Sequence, residues 1–464
     1  MGTIAKGRGR LIRHVAAAGL ICGLAGAASA QQPPGTPAEK PPETAPAKPE
    51  SGSTSPVPTF AVLGPSREIK LSENTWFRFG VQVQAWWRAA QDRINQPDGS
   101  DGSYAMDFYC RRCRFFATGS VVRNVYFNFL LEGGNIGRAD PSSGAKSAPT
   151  PLILDAYGQV KFHDVFWLSG GSILMPLTRN GLQPTTTYVS IDGANIDTTP
   201  VLQGNSNVLR DFGLQANGFF ADNHVEYRLG VFQGSRQASL ATQSAGHNGP
   251  RVVAMLAANL WDTETGYVNG GHYYGAKRVL GVMANFDYQS FRKNAPPAAG
   301  IDKNAYKGFS GAAFINYPLS GKPNMRGGDE IVGLLQFGYY DGGLAVGAAP
   351  PFAATNAGTY PAVLKQTNYL AEAGYYNHAG HFSVFGKYER RKLSDDYPLT
   401  FRQNLPATLA PSQTWIAFGL KYYVAPFNFM NFGLQYERIN NNDALSSQPG
   451  GINTLTFQMQ TILY

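Results

Sequence analysis

Phe77-Arg78-Phe79-Gly80-Val81-Gln82-Val83-Gln84-Ala85-Trp86-Trp87-Arg88 places apolar residues at the odd positions and polar residues or glycine at most of the even ones. A period of two marks an amphipathic strand, because successive side chains leave opposite faces of an extended backbone. Similar runs follow at 111–121, 124–133, 152–162, 165–175, 208–219, 225–234, 251–260, 279–290, 306–317, 329–340, 367–376, 381–391, 413–424, 427–438 and 454–464. With the first run that makes sixteen, each close to the roughly 9–11 residues that cross a bilayer at a tilt.

The connectors fall into two classes. Those after the second, fourth, sixth, twelfth and fourteenth runs are short: Val122-Arg123, His163-Asp164, Phe220 to His224, Asn377 to Gly380 and Ala425-Pro426. Those after odd-numbered runs are long, as at 91–110, 134–151, 176–207, 235–250, 341–366, 392–412 and 439–453. Short turns at one end and long loops at the other are the mark of an outer-membrane β-barrel. Connectors 261–278 and 318–328 exceed the rule and are where a count of sixteen is most open to correction.

Composition agrees with this class. Aromatic residues make up 12% of the chain and charged residues only 15%, against about 25% charged in a soluble domain. Mean hydropathy is −0.23, as expected when strands alternate faces. After the leader, no stretch has the roughly 18 consecutive apolar residues of a spanning helix. A soluble β-sandwich would share the alternation, but it would not need an unbroken series of tilt-length strands to the last residue. Sixteen strands leave an aqueous lumen, whereas about eight would be filled by side chains.

Residues 1–30 have the layout of a signal peptide: Lys6, Arg8, Arg10 and Arg13, then an apolar core, then Ala28-Ser29-Ala30 before the expected cut. A lipid anchor at Cys22 is disfavoured by Ile21 before it. Residues 31–58 form a Pro-rich segment read as a disordered periplasmic linker, and 59–464 are the barrel domain. Of the net charge of +8, the four leader cations carry +4 and the linker −1, which leaves +5 for residues 59–464. That bias is mild and spread out; it favours anionic solutes weakly and argues against nucleic acid. Cys110 and Cys113 remain in a compartment that permits disulfides. A bond between them is expected at the loop–strand junction, provided a local turn brings them together.

Cys110 to Phe115, Leu154 to Tyr157 with Gly170 to Leu177, and Arg210 to Gln215 with Tyr227 to Gly234 are three stretches that resemble the phosphate-selective porin O and P family. Cys110-Arg111-Arg112-Cys113-Arg114-Phe115 is similar to the opening of that family's second strand. Leu154-Asp155-Ala156-Tyr157 followed by Gly170-Gly171-Ser172-Ile173-Leu174-Met175-Pro176-Leu177 resembles a second block. Arg210-Asp211-Phe212-Gly213-Leu214-Gln215 with Tyr227-Arg228-Leu229-Gly230-Val231-Phe232-Gln233-Gly234 resembles a third. The likeness spans roughly residues 70–464, with specific motifs only in the first half. It implies a sixteen-stranded homotrimeric barrel, a third loop folded inward and basic residues along the path, with no cofactor. Loop 176–207 carries only Arg179 as a cation, beside Asp192 and Asp197. That departs from the cation-rich path of phosphate-selective members and leaves a general porin open.

With the apolar phase of each strand set against lipid, the lumen is expected to receive Arg78, Gln82, Gln84, Arg88, Arg112, Arg114, Lys161, Arg228, Arg251, Lys387 and Lys421. The phase is constrained because an Arg or Lys on the lipid face costs about 2–4 kcal/mol at the midplane. The same rule turns Glu132, Asp155, Asp211, Glu226, Asp287, Glu330, Glu372, Glu389 and Glu437 inward. Cations cluster on the first two strands and acids on the second half, which would set a transverse field across the pore. Each such residue could equally stiffen the wall through salt bridges. Neither a G-x-S-x-G turn nor an H-E-x-x-H site appears, so an enzyme is disfavoured. A non-conducting barrel serving adhesion or tethering is the remaining alternative.

Overall fold

The computed structural model describes residues 68–91, 104–139, 145–148, 150–198, 209–234, 249–290, 305–321, 327–342, 363–397, 399, 402, 412–424, 429–443 and 451–463. The readings placed on residues 1–30, 31–58 and the turn Ala425-Pro426 lie outside them. A two-residue strand, β1 (Ile69–Lys70), pairs on the first barrel strand. The barrel strands are β2 (Trp76–Gln91), β3 (Tyr104–Val122), β4 (Val125–Ile136), β5 (Leu152–His163), β6 (Phe166–Leu174), β7 (Arg210–Phe220), β8 (Val225–Phe232) and β9 (Arg251–Asn259). They continue as β10 (Val279–Ser290), β11 (Ala305–Pro318), β12 (Glu330–Asp341), β13 (Gln366–Asn377), β14 (Phe382–Leu393), β15 (Gln413–Tyr423), β16 (Met430–Asn441) and β17 (Gly451–Leu463).

Every neighbouring pair is antiparallel, and β17 returns to β2 with Phe457 opposite Trp87, so the sheet closes as a sixteen-stranded barrel. Closure removes the unpaired edge that an open sheet would present. The outer face carries the apolar phase: Val81, Leu214, Leu256, Phe337, Phe418 and Phe457 are exposed there. Phe162 and Phe166 flank one short turn, and Phe220, Phe382 and Tyr422 mark others at the same end, which gives that rim an aromatic border.

Among the described residues, neither overlong connector holds a strand. Residues 319–320 and 329 extend the β11–β12 hairpin through backbone bonds from Leu319 and Ser320 to the Asp329 carbonyl. Residues 260–278 leave β9 at the short-turn end and fold into the barrel. From the opposite end, residues 175–197 leave β6 and also fold in. The two inserts meet inside, where Asn269 N donates to the Leu182 carbonyl (3.1 Å) and His272 N to that of Thr187 (3.0 Å). Gly171 prepares the first departure. Its φ is +134°, and a Cβ there would lie 2.2 Å from the Ala156 carbonyl oxygen of β5, so only glycine fits.

The core lies inside the barrel. Met175, Leu177, Leu182, Ala194 and Ile196 of the long-loop insert pack on Val253, Met255, Val279, Met283, Phe314, Leu334 and Leu370 of the wall. Strands β9 to β12 are therefore apolar on both faces across their middle. The expectation that the polar phase always faces the lumen does not hold there, because the insert supplies an apolar lining where water would otherwise stand.

Candidate functional site: the lumen and its ion pairs

An irregular segment inside a barrel must find partners for its backbone N–H and C=O groups away from bulk water. The long-loop insert does so against the wall. Asn285 donates to the Pro176 carbonyl (2.6 Å), Ser310 to that of Leu177 (2.6 Å), and Lys421 to that of Tyr188 (2.5 Å). Glu372 accepts from Ser190 N (3.1 Å), Glu389 from Ile196 N (3.1 Å), and Gln336 from Asn180 N (3.0 Å). The turn insert hangs on Glu330, which accepts from His272 Nδ1 (2.7 Å) and Gly275 N (3.0 Å).

These bonds revise the expected transverse field. Glu330, Glu372 and Glu389 do face inward, but they hold insert backbone instead of facing an open lumen. Asp211 likewise accepts from Phe212 N (2.7 Å) and Gly234 N (2.8 Å) and fixes the end of β7.

Several expected pathway cations are buried in pairs. Arg251 binds Asp287 (2.5 Å), Arg228 binds Glu226 (2.7 Å) and Lys387 binds Glu389 (3.0 Å). Arg228 also donates to the carbonyls of Tyr267 (2.8 Å) and Gly266 (3.0 Å), which ties the turn insert to β8. Arg179 binds Glu264 of the turn insert (2.8 Å) and stacks 4.0 Å above the Phe314 ring. The side chains of Arg179, Arg228 and Lys387 are 1% exposed and that of Arg251 is 0%. Arg179, Arg228 and Lys387 occupy the seam between wall and inserts, because the inserts fill the space that an empty lumen would have offered them. Arg251 is held by the wall itself, over the Tyr306 ring.

A second group sits closer to water, along β3 to β7 toward the long-loop end. A bulge in β3 creates it. Gln84 pairs with Arg112 and Ala85 with Cys110, so Arg111 has no partner in β2. One extra residue turns two consecutive side chains inward. Arg111 (3.2 Å) and Arg112 (2.5 Å) both reach Asp192 at the tip of the long-loop insert. Arg114 pairs with Glu132 (2.6 Å) and donates to Thr185 Oγ1 (2.8 Å); Arg210 pairs with Asp155 (3.1 Å). Arg111 and Asp192 are 25% and 24% exposed. Burial raises the Asp192 carboxyl, but Arg111 and Arg112 outweigh it and hold the group well below the usual carboxylate range. Arg88 and Glu437 are partly exposed on neighbouring wall, within electrostatic reach of each other.

Two expected cations mark the short-turn mouth: Arg78 binds Glu68 (2.7 Å), and Lys161 binds Asp164 (2.5 Å) while lying over the Trp167 ring. Strict alternation missed Arg111 and gave no role to Asp192, Arg210, Glu264 or His272. The bulge had one visible trace: Tyr104, Met106 and Phe108 are apolar in the even phase, and Cys113 and Phe115 in the odd phase.

The bulge also corrects the expected disulfide. Cys110 lies opposite Ala85 and Cys113 opposite Val83, so both face outward, and both thiols are free. The junction read as loop is continuous strand. At about 3.3 Å per residue such a backbone separates the two Cα atoms beyond the roughly 7 Å that a disulfide tolerates.

No family model and no curated protein sequence matches the chain. Among solved structures it is similar to OprB of Pseudomonas putida, at 8% identity over 83% of this chain and 94% of that one, with a TM-score of 0.54. It is also similar to OmpF of Salmonella typhi, solved in complex with daunomycin, at 13% identity over 86% of this chain and 100% of that one, with a TM-score of 0.51. At such identities the likeness establishes the fold: a sixteen-stranded antiparallel barrel of the porin type.

Proposed function

We propose that the chain is an outer-membrane porin, exported through its leader, that passes small hydrophilic solutes with a modest preference for anions. The observation that carries the reading is the closed barrel with an apolar outer face, crossed inside by a loop whose tip rests against an arginine group. Arg111, Arg112, Arg114 and Arg210 stand there against Asp192, Glu132 and Asp155, one positive charge in excess. Guanidinium stays protonated at any accessible pH. The carboxylate partners keep the preference small and argue for a general anion path over a dedicated phosphate filter. Membership of the phosphate-selective porin O and P family, and assembly as a homotrimer, belong to the same proposal and rest on the three motifs.

Planar-bilayer recording of the purified barrel tests it. Discrete conductance steps are expected. A folded barrel that inserts and never conducts would leave the tethering alternative in its place.

A further inference from the structure

The outer wall over β11–β14 departs from the smooth apolar band around it. A groove of about 690 Å³ runs there. Its floor is cut down by Gly311, Ala313 and Ala371, and Phe337, Tyr369 and Tyr388 form its aromatic sides. Arg390 and Lys392 close it at the long-loop end of β14. All of these side chains belong to the outward phase, with Arg390 in register with Tyr369 and Tyr388 with Ala371.

The two cations need an explanation on this face. A charged side chain there costs about 2–4 kcal/mol at mid-bilayer but only about 0–1 near the interface. Arg390 lies three residues from the end of its strand, at interfacial depth. It is exposed, and no ion pair or hydrogen bond to it is found among the described residues. Lys392 pairs with Asp395 (2.6 Å), but both are well exposed, at 44% and 68%. Such a pair contributes little and yields readily to a better anion. An apolar trough ending in a free guanidinium and an ammonium fits an amphiphile with acyl chains and a phosphate, which guanidinium can engage bidentately. Outer-membrane barrels keep their short turns periplasmic and their long loops extracellular, so the long-loop end faces the outer leaflet, which in an outer membrane is built of phosphorylated glycolipid.

We infer that this groove binds a phosphorylated glycolipid of the outer leaflet, with acyl chains along Gly311, Ala313 and Ala371 and a sugar phosphate held by Arg390 and Lys392. The inference rests on the outer-membrane reading but not on conduction, so the same preparations are tested for both.

The test is retention of bisphosphorylated lipid A by the purified full-length barrel, measured by native mass spectrometry against phosphatidylglycerol. The double variant R390Q/K392Q should retain lipid A about tenfold less than the unmodified barrel. Ala371→Phe, which fills the trough and keeps both cations, should weaken retention as well. Arg438→Gln, an exposed outward arginine on β16 two strands away, should leave retention unchanged. Equal retention by the double variant overturns the inference. So does an equal loss in Arg438→Gln, which would mean diffuse surface charge, or equal binding of phosphatidylglycerol, which would mean phosphate reading without the glycolipid. Bilayer conductance of the same samples reports separately on the porin reading: loss of lipid with intact conductance removes only the groove assignment, and absent conductance with lipid retained removes only the channel.

Discussion

Two sets of ion pairs share the lumen, made from the same residue types and at similar distances, yet they meet water differently. Against the inserts, Arg228–Glu226, Arg179–Glu264 and Lys387–Glu389 are almost fully enclosed, as is Arg251–Asp287 on the wall. Along β3 to β7, Arg111 and Asp192 keep about a quarter of each side chain in solvent, and Arg114 and Glu132, at 10% and 13%, are less tightly enclosed than the first set. The contrast separates two roles that sequence alternation assigned together. A charge sealed between wall and insert cannot exchange its partner for a passing solute, and desolvation makes it costly to leave alone. A charge with an open side can act on an ion in the path at little structural cost.

The largest expected effect breaks the sealed set. Asp287→Ala would leave Arg251 buried without its carboxylate, which should cost about 3–5 kcal/mol. Glu132→Ala, on the second set, should cost about 1.5–3 kcal/mol, the scale of a hydrogen bond to a charged group. Urea titrations of both variants refolded into the same lipid vesicles would measure the gap, and equal losses would abolish the distinction.

Chemical access sharpens the same contrast. In a background with Cys110 and Cys113 replaced by alanine, Glu132→Cys should react with a water-soluble methanethiosulfonate reagent and lower conductance. Glu226→Cys should react far more slowly, because its position is sealed beneath Arg228 and the turn insert. Comparable labelling rates would place both in the water path.

A smaller effect concerns pH. Burial pushes the Asp197 carboxyl of the long-loop insert up, to about 7, although Gln336 donates to it at 2.9 Å. An unfolded Asp titrates near 3.9. A folded value above the unfolded one means that stability is fully present below about pH 4 and is lost as pH rises through about 7. The urea midpoint of the unmodified barrel should therefore fall between pH 5 and pH 8, and the fall should shrink in Asp197→Asn. An unchanged slope in that variant would assign the pH response to other groups.

Strand number, phase and the two ends of the barrel were legible because each depends on local pattern. Most boundaries agree within a few residues. The clearest exception is β3, which begins at Tyr104 and not at 111. There the bulge at Arg111 shifts the apolar phase, so the residues before it read as loop. The inserts were legible only as excess length. What fills them in depends on contacts between positions far apart in sequence, such as Arg179 with Glu264 or Ser190 with Glu372, and no local period encodes those. One trace was present. In Arg251-Val252-Val253-Ala254-Met255-Leu256-Ala257-Ala258 the alternation collapses into a continuous apolar run, which is how a strand reads when both faces are covered.

The central claim is that the arginines grouped on Asp192 and Glu132, where Arg111 opens to solvent, set selectivity and the fully sealed ones do not. Single-channel reversal potentials in a tenfold salt gradient test it most directly, comparing the unmodified barrel, R111Q/R112Q/R114Q and Arg228→Gln. The unmodified channel should show a modest anion preference that fades as salt approaches 1 M, where the Debye length is about 3 Å. The triple variant should shift toward cations with conductance largely kept, and Arg228→Gln, where it folds, should stay at the unmodified value. An unmoved reversal potential in a folded triple variant, or an equal shift in Arg228→Gln, would contradict the account.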